Sequence, residues 1–200
     1  SILRQSYKTI ELILVDNNST DNSLLICKDY ANKDSRVRVL KENKRGPFYA
    51  RKKGVLAAVG DYITFVDADD FITKNHLSQL YNGKTDFSLT QFVKKDGEHL
   101  SKPHHFTEKL ISCDDFIMEL NMEIPFHFCQ LMYKTSIVNE NNIRFTPNVV
   151  YGEDTEFALK TFIFGENISL GNEITYYYVQ HDESAIRTSE FKRFEVVNIF

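Results

Sequence analysis

The chain has 200 residues, 42% of them hydrophobic and 26% charged, so it can bury one substantial core, and we expect a single domain over residues 1–200. Its formal net charge of -4 argues against a nucleic-acid binder, because such domains carry a basic surplus. The three cysteines are scattered and indicate neither a disulfide framework nor a zinc site. No apolar stretch approaches the roughly 20 residues that span a bilayer. The default expectation is a cytoplasmic protein.

The first half of the chain alternates strand-like and helix-like segments. "SILRQSY" is typical of the end of an amphipathic helix, and a β-prone run follows at 11–16. A helix through "LLICKDYA" with Ser19 or Thr20 as its N-cap comes next. Further strands are predicted at 36–40 and 61–67, with a helix over 48–59 between them. This order predicts right-handed crossovers in a doubly wound, mostly parallel α/β sheet flanked by helices.

The second half of the chain is less regular and predicts a small additional antiparallel element. Strands are expected at 86–93 and 173–180, and helices near 113–121, 134–140 and 154–164.

Polar side chains follow two of the predicted strands. "VDNNS" places Asp16 and Asn17 after the first strand, and "VDADD" places Asp67, Asp69 and Asp70 after the third. Ligands of open α/β sheets bind at the carboxyl ends of strands, and the oxygen ligands of a D-x-D pair suit Mg²⁺ or Mn²⁺. The alternative is a solvated acidic turn that caps a helix beginning near Thr73.

Further candidates lie elsewhere along the chain, each with a structural alternative. Asp154, in "YGEDTEF", is either a general base or an acid favoured at a helix N-terminus. His181 follows the last predicted strand and is either a ligand or a residue at the edge of the core. The basic run of Lys41, Lys44, Arg45, Arg51, Lys52 and Lys53 is typical of a solvated face, and it could also attract a diphosphate or an anionic membrane.

Four blocks of the sequence together resemble the family-2 inverting glycosyltransferases of GT-A fold. They are "SILRQSYKTIELILVDNNSTDNS", "ENKRGPFYARKKGVLAAVGDYITFVDADD", "NNIRFTPNVVYGEDTEF" and "YYYVQHDES", in the family's order, and the match runs from Ser1 to about Arg187. The resemblance implies transfer of a sugar from a nucleotide-diphosphate sugar to a hydroxyl of a glycan, a lipid-linked or another acceptor. It also implies a place in the cytoplasm or at the inner face of the membrane, with peripheral association.

The resemblance assigns a role to each candidate residue. Asp67 is expected near the nucleotide ribose, and Asp69 is expected to bind the Mn²⁺ or Mg²⁺ ion that bridges the donor diphosphate. Asp154 is implied as the catalytic base, and His181 as a residue that joins the metal or the diphosphate. Asp16 and Asn17 stand where the family contacts the nucleoside, which implies uridine and therefore a UDP-sugar.

Two features depart from the family pattern. Asn17 stands where Asp is commoner, and the donor and acceptor pattern of an amide differs from that of a carboxylate. The family's first strand would precede Ser1, so we expect an upstream segment.

Three rival functions stay open at this point. A strand followed by D-x-D also resembles aspartate-nucleophile phosphatases, in which Asp67 would attack phosphorus, but Phe71 stands where that class has Thr or Val. A glycosidase would use two carboxylates, such as Asp69 and Asp154. A degenerate sugar-nucleotide-binding module would keep only the fold.

Overall fold

The structure is a computed structural model that describes residues 1–107, 109–120, 126–146, 149 and 152–180. Contacts divide the chain into two compact units. The smaller unit is Lys8–Ile63, and the larger is Ser1–Tyr7 together with Thr64–Phe200.

The smaller unit is a strand–helix–strand–helix arrangement. Its elements are β1 (Leu12–Asp16), α1 (Ser23–Lys33), β2 (Val37–Lys41) and α2 (Pro47–Ala57). The two strands are parallel, with Leu12 opposite Val37 and Asp16 opposite Lys41. The carboxyl ends of β1 and β2 therefore meet at the same edge of this small sheet.

The N-cap prediction for the first helix was wrong. The helix begins at Ser23 with Asn22 as its N-cap residue, later than Ser19 or Thr20 would allow. A carboxylate oxygen of Asp21 accepts a hydrogen bond from the Ser23 amide at 2.9 Å, and so satisfies one of the N–H groups that a helix N-terminus leaves free.

The larger unit holds a mixed sheet. The boundary between the units falls within β3 (Tyr62–Thr64), and the hydroxyl of Thr64 donates to the Leu131 carbonyl at 2.7 Å. The other elements are β4 (Phe71–Ile72), α3 (His76–Leu80), β5 (Phe87–Asp96), β6 (His99–Leu100), β7 (Leu110–Ser112), α4 (Cys113–Leu120), β8 (Leu131–Lys134), α5 (Thr135–Glu140), α6 (Glu153–Phe162) and β9 (Asn167–Val179). Short 3₁₀ helices cover Ile2–Arg4 and Phe128–Gln130.

The strand order of this sheet is β3-β8-β5-β9-β4, with β6 beside β5 and β7 beside β9. The central pair, β5 and β9, is parallel, whereas β4 and β7 pair antiparallel with β9, and β6 and β8 pair antiparallel with β5. The α/β class is as predicted, and the antiparallel pairing in the second half is more extensive than the sequence indicated.

Two predicted element boundaries around the acidic loop were wrong. The strand predicted to reach Asp67 ends at Thr64, and a turn follows over residues 67–70, with the Asp70 amide donating to the Asp67 carbonyl at 3.1 Å. The helix expected near Thr73 begins at His76, because the Thr73 amide bonds to the Thr175 carbonyl at 2.9 Å instead.

Two buried hydrogen bonds link Thr90, Thr175 and His76 in the larger unit. The hydroxyl of Thr175 lies 2.5 Å from that of Thr90 and 2.7 Å from Nδ1 of His76. His76 is fully buried, and burial lowers its pKa to about 4, because the charged imidazolium would lose its hydration. The imidazole is therefore neutral near pH 7.

Gly165 and Gly54 give a matched test of packing in the two units. A Cβ at Gly165 would lie 2.9 Å from Cζ of the buried Phe87 and 3.2 Å from Sγ of Cys113, whereas one at Gly54 would meet only Val15 at 3.8 Å. We expect Gly165→Ala to lower the free energy of unfolding by about 1–3 kcal/mol through overpacking. Gly54→Ala should raise it by about 1 kcal/mol, because the residue lies within α2.

The measurement is urea unfolding of the two variants and the parent chain under one set of conditions. Equal stability of Gly165→Ala and the parent would contradict the packing described around Phe87.

Candidate active site

The acidic loop between β3 and β4 is fastened to the last strand. One carboxylate oxygen of Asp70 accepts a hydrogen bond from the Tyr176 hydroxyl at 2.5 Å, and the other accepts from the Val179 amide at 2.8 Å. The Tyr176 oxygen in turn accepts from the Asp67 amide at 3.3 Å. A single buried tyrosine of β9 thus holds both ends of the Asp67–Asp70 turn.

The protonation of Asp70 is shifted by its position. Its pKa is raised to about 6, chiefly by burial and to a smaller extent by the charges of Asp69 and Asp67, while the hydrogen bonds from Tyr176 and Val179 act in the opposite direction. Burial likewise raises the pKa of the Tyr176 hydroxyl, so this group stays protonated and remains a donor.

Asp67, Asp70 and His127 come together beside this loop. Each offers one ligand atom, and these atoms lie within 4.8 Å of one another, with all three residues half-buried. The His127 ring packs 5.2 Å from the ring of Tyr176 and 4.9 Å from that of Tyr178, centroid to centroid, which fixes its position. Two carboxylates and an imidazole form a donor set that suits Mn²⁺.

Asp69, the predicted metal ligand, lies at the exposed tip of the turn. Among the residues that the structure describes, it belongs to no group of three potential ligands. His181, the other predicted ligand, lies outside the described residues.

An aromatic cluster brings the segment of Asp154 towards the same region. Phe65 packs against Phe128 with ring centroids 4.4 Å apart and against Phe157 at 6.2 Å, and Phe128 lies 5.9 Å from Phe157. Phe65 precedes Asp67 by two residues, Phe128 follows His127, and Phe157 lies one turn beyond Asp154 in α6. Residues three apart share a helix face. The acidic loop, His127 and the N-terminal turn of α6 therefore surround one cluster.

Asp154 itself is the second residue of α6 and is half-buried. One of its carboxylate oxygens accepts a hydrogen bond from the Thr155 amide at 2.6 Å. The same first turn is anchored by the buried Glu156, which pairs with Lys160 and accepts a hydrogen bond from the Thr146 hydroxyl.

Asp16 and Asn17 lie in the smaller unit at the end of β1. Asp16 is buried, and within the described ranges no residue donates a hydrogen bond to its Oδ1 atom. Asn17 is engaged at both ends of its amide: Nδ2 donates to the carbonyls of Glu42 and Lys44, and Oδ1 accepts from the Gly46 amide.

The basic run of the smaller unit is partly neutralised. Lys53 forms an ion pair with Glu42 at 3.7 Å, and the ammonium of Lys44 lies over the Tyr49 ring at 5.6 Å. Lys41, Lys44 and Arg45 are exposed. As for bilayers, none of the described helices has the length and apolar character that crossing one requires.

Sequence reasoning missed His127, Tyr176 and the role of Asp70. His127 carries no local motif, because its neighbours in space come from the distant acidic loop. A period-2 pattern through "EITYYYVQ" would have assigned Tyr176 to one face of a strand, but not to a partner.

The fold belongs to the GT-A type. The structure of Staphylococcus aureus TarS residues 1–349 in complex with UDP-GlcNAc superposes with a TM-score of 0.78 at 22% identity, over 94% of this chain and 55% of that one. The GT-A-type fold that the resemblance implied is thereby confirmed.

The chain belongs to glycosyl transferase family 2, whose sequence profile matches residues 1–138. Glycosyltransferase GlyG of Streptococcus pneumoniae is 51% identical over 81 residues, which is 40% of this chain and 27% of GlyG. The uncharacterized glycosyltransferase EpsJ of Bacillus subtilis is 27% identical over 194 residues, which is 92% of this chain and 56% of EpsJ. The chain thus spans little more than half of these relatives at most.

The pKa of Asp70 generates a prediction about stability. Its folded value of about 6 lies above the ordinary value of 3.8, so between those pH values the folded state holds more protons than the unfolded state. The contribution of Asp70 to the free energy of unfolding should therefore fall as pH rises from about 4 to about 6. We expect the difference in stability between the parent and Asp70→Asn to follow this slope.

The difference is measured by urea unfolding in EDTA across that range. His76 contributes a pH dependence of the opposite sign over an overlapping range, because its pKa is lowered from 6.5 to about 4. Since both proteins contain His76, this contribution cancels in the difference. A difference that is constant with pH, or that grows as pH rises, would contradict the assignment.

Proposed function

We propose that this chain carries the catalytic domain of an inverting glycosyltransferase that moves a sugar from a UDP-sugar to an acceptor hydroxyl with the help of a divalent cation. The observation that carries the proposal is the grouping of Asp67, Asp70 and His127, with ligand atoms within 4.8 Å of one another, in a family-2 chain of GT-A fold. The TarS complex with UDP-GlcNAc supports a nucleotide-sugar donor.

The donor set fits the implied metal. Carboxylate oxygens and one imidazole nitrogen accommodate Mn²⁺, and the oxygens alone suit Mg²⁺. Asp67, Asp70 and His127 would hold the ion from the protein side, and Asp69, at the tip of the turn, would reach it or its diphosphate ligand from solvent. A bound cation supplies Lewis-acid stabilisation of the departing diphosphate. The contribution of His181 stays a prediction.

Asp154 is proposed as the general base. It stands in the first turn of α6, held by the packing of Phe157 in the aromatic cluster, and its half-buried carboxylate can take a proton from an attacking hydroxyl. One base suffices for a single displacement, which inverts the anomeric centre. Asp16, with its Oδ1 atom lacking a donor among the described residues, is proposed to contact the nucleoside.

The acceptor and the cellular place belong to the proposal as well. A glycan or a lipid-linked hydroxyl is the acceptor class that the family resemblance implies. The exposed Lys41, Lys44 and Arg45 favour peripheral association with an anionic membrane surface at the cytoplasmic face.

The rival functions predict different activities. A phosphatase would hydrolyse simple phosphate esters, a glycosidase would cleave glycosides without a nucleotide, and a binding module would do neither. Assaying phosphate esters and glycosides alongside UDP-sugars, with and without Mn²⁺, separates the classes. Metal-dependent release of UDP supports the proposal, whereas hydrolysis of phosphate esters alone would replace it.

The role of Asp154 can be tested with a control at an equivalent helix position. Asp154→Asn should lower sugar transfer by about 100-fold or more through loss of the base, while UDP binding stays within a few-fold. Asp114 is likewise the second residue of its helix, α4, and Asp114→Asn should leave transfer unchanged. Transfer by Asp154→Asn at the parent rate would show that another group is the base.

The metal ligands can be tested by direct binding of Mn²⁺ in titrations without donor. His127→Phe keeps an aromatic ring against Tyr176 and Tyr178 but removes the nitrogen donor, and should weaken Mn²⁺ binding about tenfold or more. His104→Phe, at a histidine that packs against Phe106 outside this group, should bind Mn²⁺ like the parent.

Asp69→Ala should lose Mn²⁺-dependent binding of UDP, because the resemblance assigns this carboxylate to the ion that bridges the diphosphate. Unchanged Mn²⁺ binding in His127→Phe, together with its loss in Asp69→Ala, would place the ion at the tip of the turn and remove His127 from the ligand set.

A further inference from the structure

The strongest further observation concerns Asn17, which departs from the family's commoner Asp. Its Nδ2 atom lies 3.3 Å from the Glu42 carbonyl oxygen and 2.6 Å from the Lys44 carbonyl oxygen, and its Oδ1 atom lies 2.7 Å from the Gly46 amide. Both amide protons are therefore used, and one oxygen lone pair as well. The Asn17 side chain therefore has no donor left for the edge of a nucleotide base.

The orientation of the Asn17 amide is dictated by its partners. Two carbonyl oxygens require a donor, and one N–H group requires an acceptor, so a rotated amide would oppose like groups on both sides. An aspartate could accept from the Gly46 amide, but it has no proton for the carbonyls of Glu42 and Lys44. The contacts of this site therefore select an amide over a carboxylate.

The segment that Asn17 holds lies where a ligand of this sheet would bind. Residues 42–46 follow β2 directly, at the carboxyl end that β2 shares with β1, and they end at Gly46, whose φ of 129° few other residues adopt. The Glu42 side chain accepts a further hydrogen bond from the Lys44 amide at 2.9 Å, and the Glu42 amide donates to the Asp16 carbonyl at 2.9 Å. The segment is thus an ordered turn rather than a loose connection.

We propose that Asn17 is a positioning residue: its amide holds the 42–46 turn in place for donor binding, and the recognition of the base is left to its neighbour Asp16. This inference rests on the proposed function for its ligand, a nucleoside diphosphate. Asp16 is buried, with an Oδ1 atom to which no described residue donates, whereas the polar atoms of Asn17 are directed to the protein backbone.

The test compares Asn17→Asp with Asn18→Asp. The first restores the family's commoner residue but removes both donors, and the second adds the same charge one position further on, at an exposed residue whose φ of 59° an aspartate tolerates. UDP and CDP serve as probes, because they differ only in the base. Dissociation constants are measured at a temperature where each variant is fully folded, and amide exchange is followed over residues 42–46.

In Asn17→Asp we expect UDP and CDP to bind about tenfold more weakly, with their affinity ratio unchanged, and the 42–46 amides to exchange faster, because two hydrogen bonds are lost. Asn18→Asp should stay within about twofold of the parent, and Asp16→Asn should change the ratio. Asn17→Ala, which adds no charge, should reproduce the effects of Asn17→Asp and serves in its place if that variant does not fold.

A changed UDP-to-CDP ratio in Asn17→Asp with unaltered exchange would make Asn17 a base-reading residue and overturn the proposal. Parent-like affinity for both nucleotides would also overturn it. If the parent chain binds neither nucleotide, the proposed function fails. Amide exchange over residues 42–46 alone then decides whether Asn17 holds the turn. Unchanged amide exchange in the variants would reject that role.

Discussion

The packing of Phe65, Phe128 and Phe157 is the constraint on which the candidate site depends. These rings come from three distant segments, and each stands within three residues of a group proposed for chemistry: Asp67, His127 and Asp154 respectively. Aromatic side chains bury large apolar areas and pair in preferred geometries. The carboxylates repel one another, so interactions among them oppose the assembly of the site. Hydrophobic packing assembles it instead.

The acidic loop shows how the fold tolerates this repulsion. Asp67, Asp69 and Asp70 are close in sequence, and partial burial of Asp70 raises its pKa even though a hydroxyl and a backbone amide bond to its oxygens. A bound cation reduces the repulsion among partly buried carboxylates. A divalent ion bound at the proposed site would therefore offset the cost of placing these acids together.

Much of the smaller unit could be predicted from the sequence, because its pattern is local. β1, β2 and α2 lie within one or two residues of their predicted bounds, since a β-prone run, an alternating strand and an alanine-rich helical stripe each specify one structure. The strand before the acidic loop was predicted too long for a non-local reason. "TFVD" has strand propensity, but Phe65 leaves the sheet to pack against Phe128 and Phe157.

Only those residues of the candidate site that belong to a local sequence motif could be predicted. Asp67, Asp69 and Asp154 could be singled out from D-x-D and E-D spacing. His127 could not, because its significance is created by packing against β9, and neither could the hydroxyl of Tyr176 as the group that fastens the loop. The hydrogen bonds of Asn17 to the backbone could not be predicted either, since they depend on the path of residues 42–46.

In each unit, one uncharged side chain fastens a turn to the rest of the unit. For a turn proposed to meet a diphosphate, an uncharged support has an advantage, because an added carboxylate would repel the ligand. Tyr176 holds the Asp67–Asp70 turn through one hydroxyl, and Asn17 holds the 42–46 turn through one amide. Both groups are uncharged at neutral pH and make several bonds each, so a few atoms order a whole turn. In the smaller unit, the buried Asp16 beside Asn17 keeps an Oδ1 atom to which no described residue donates a hydrogen bond.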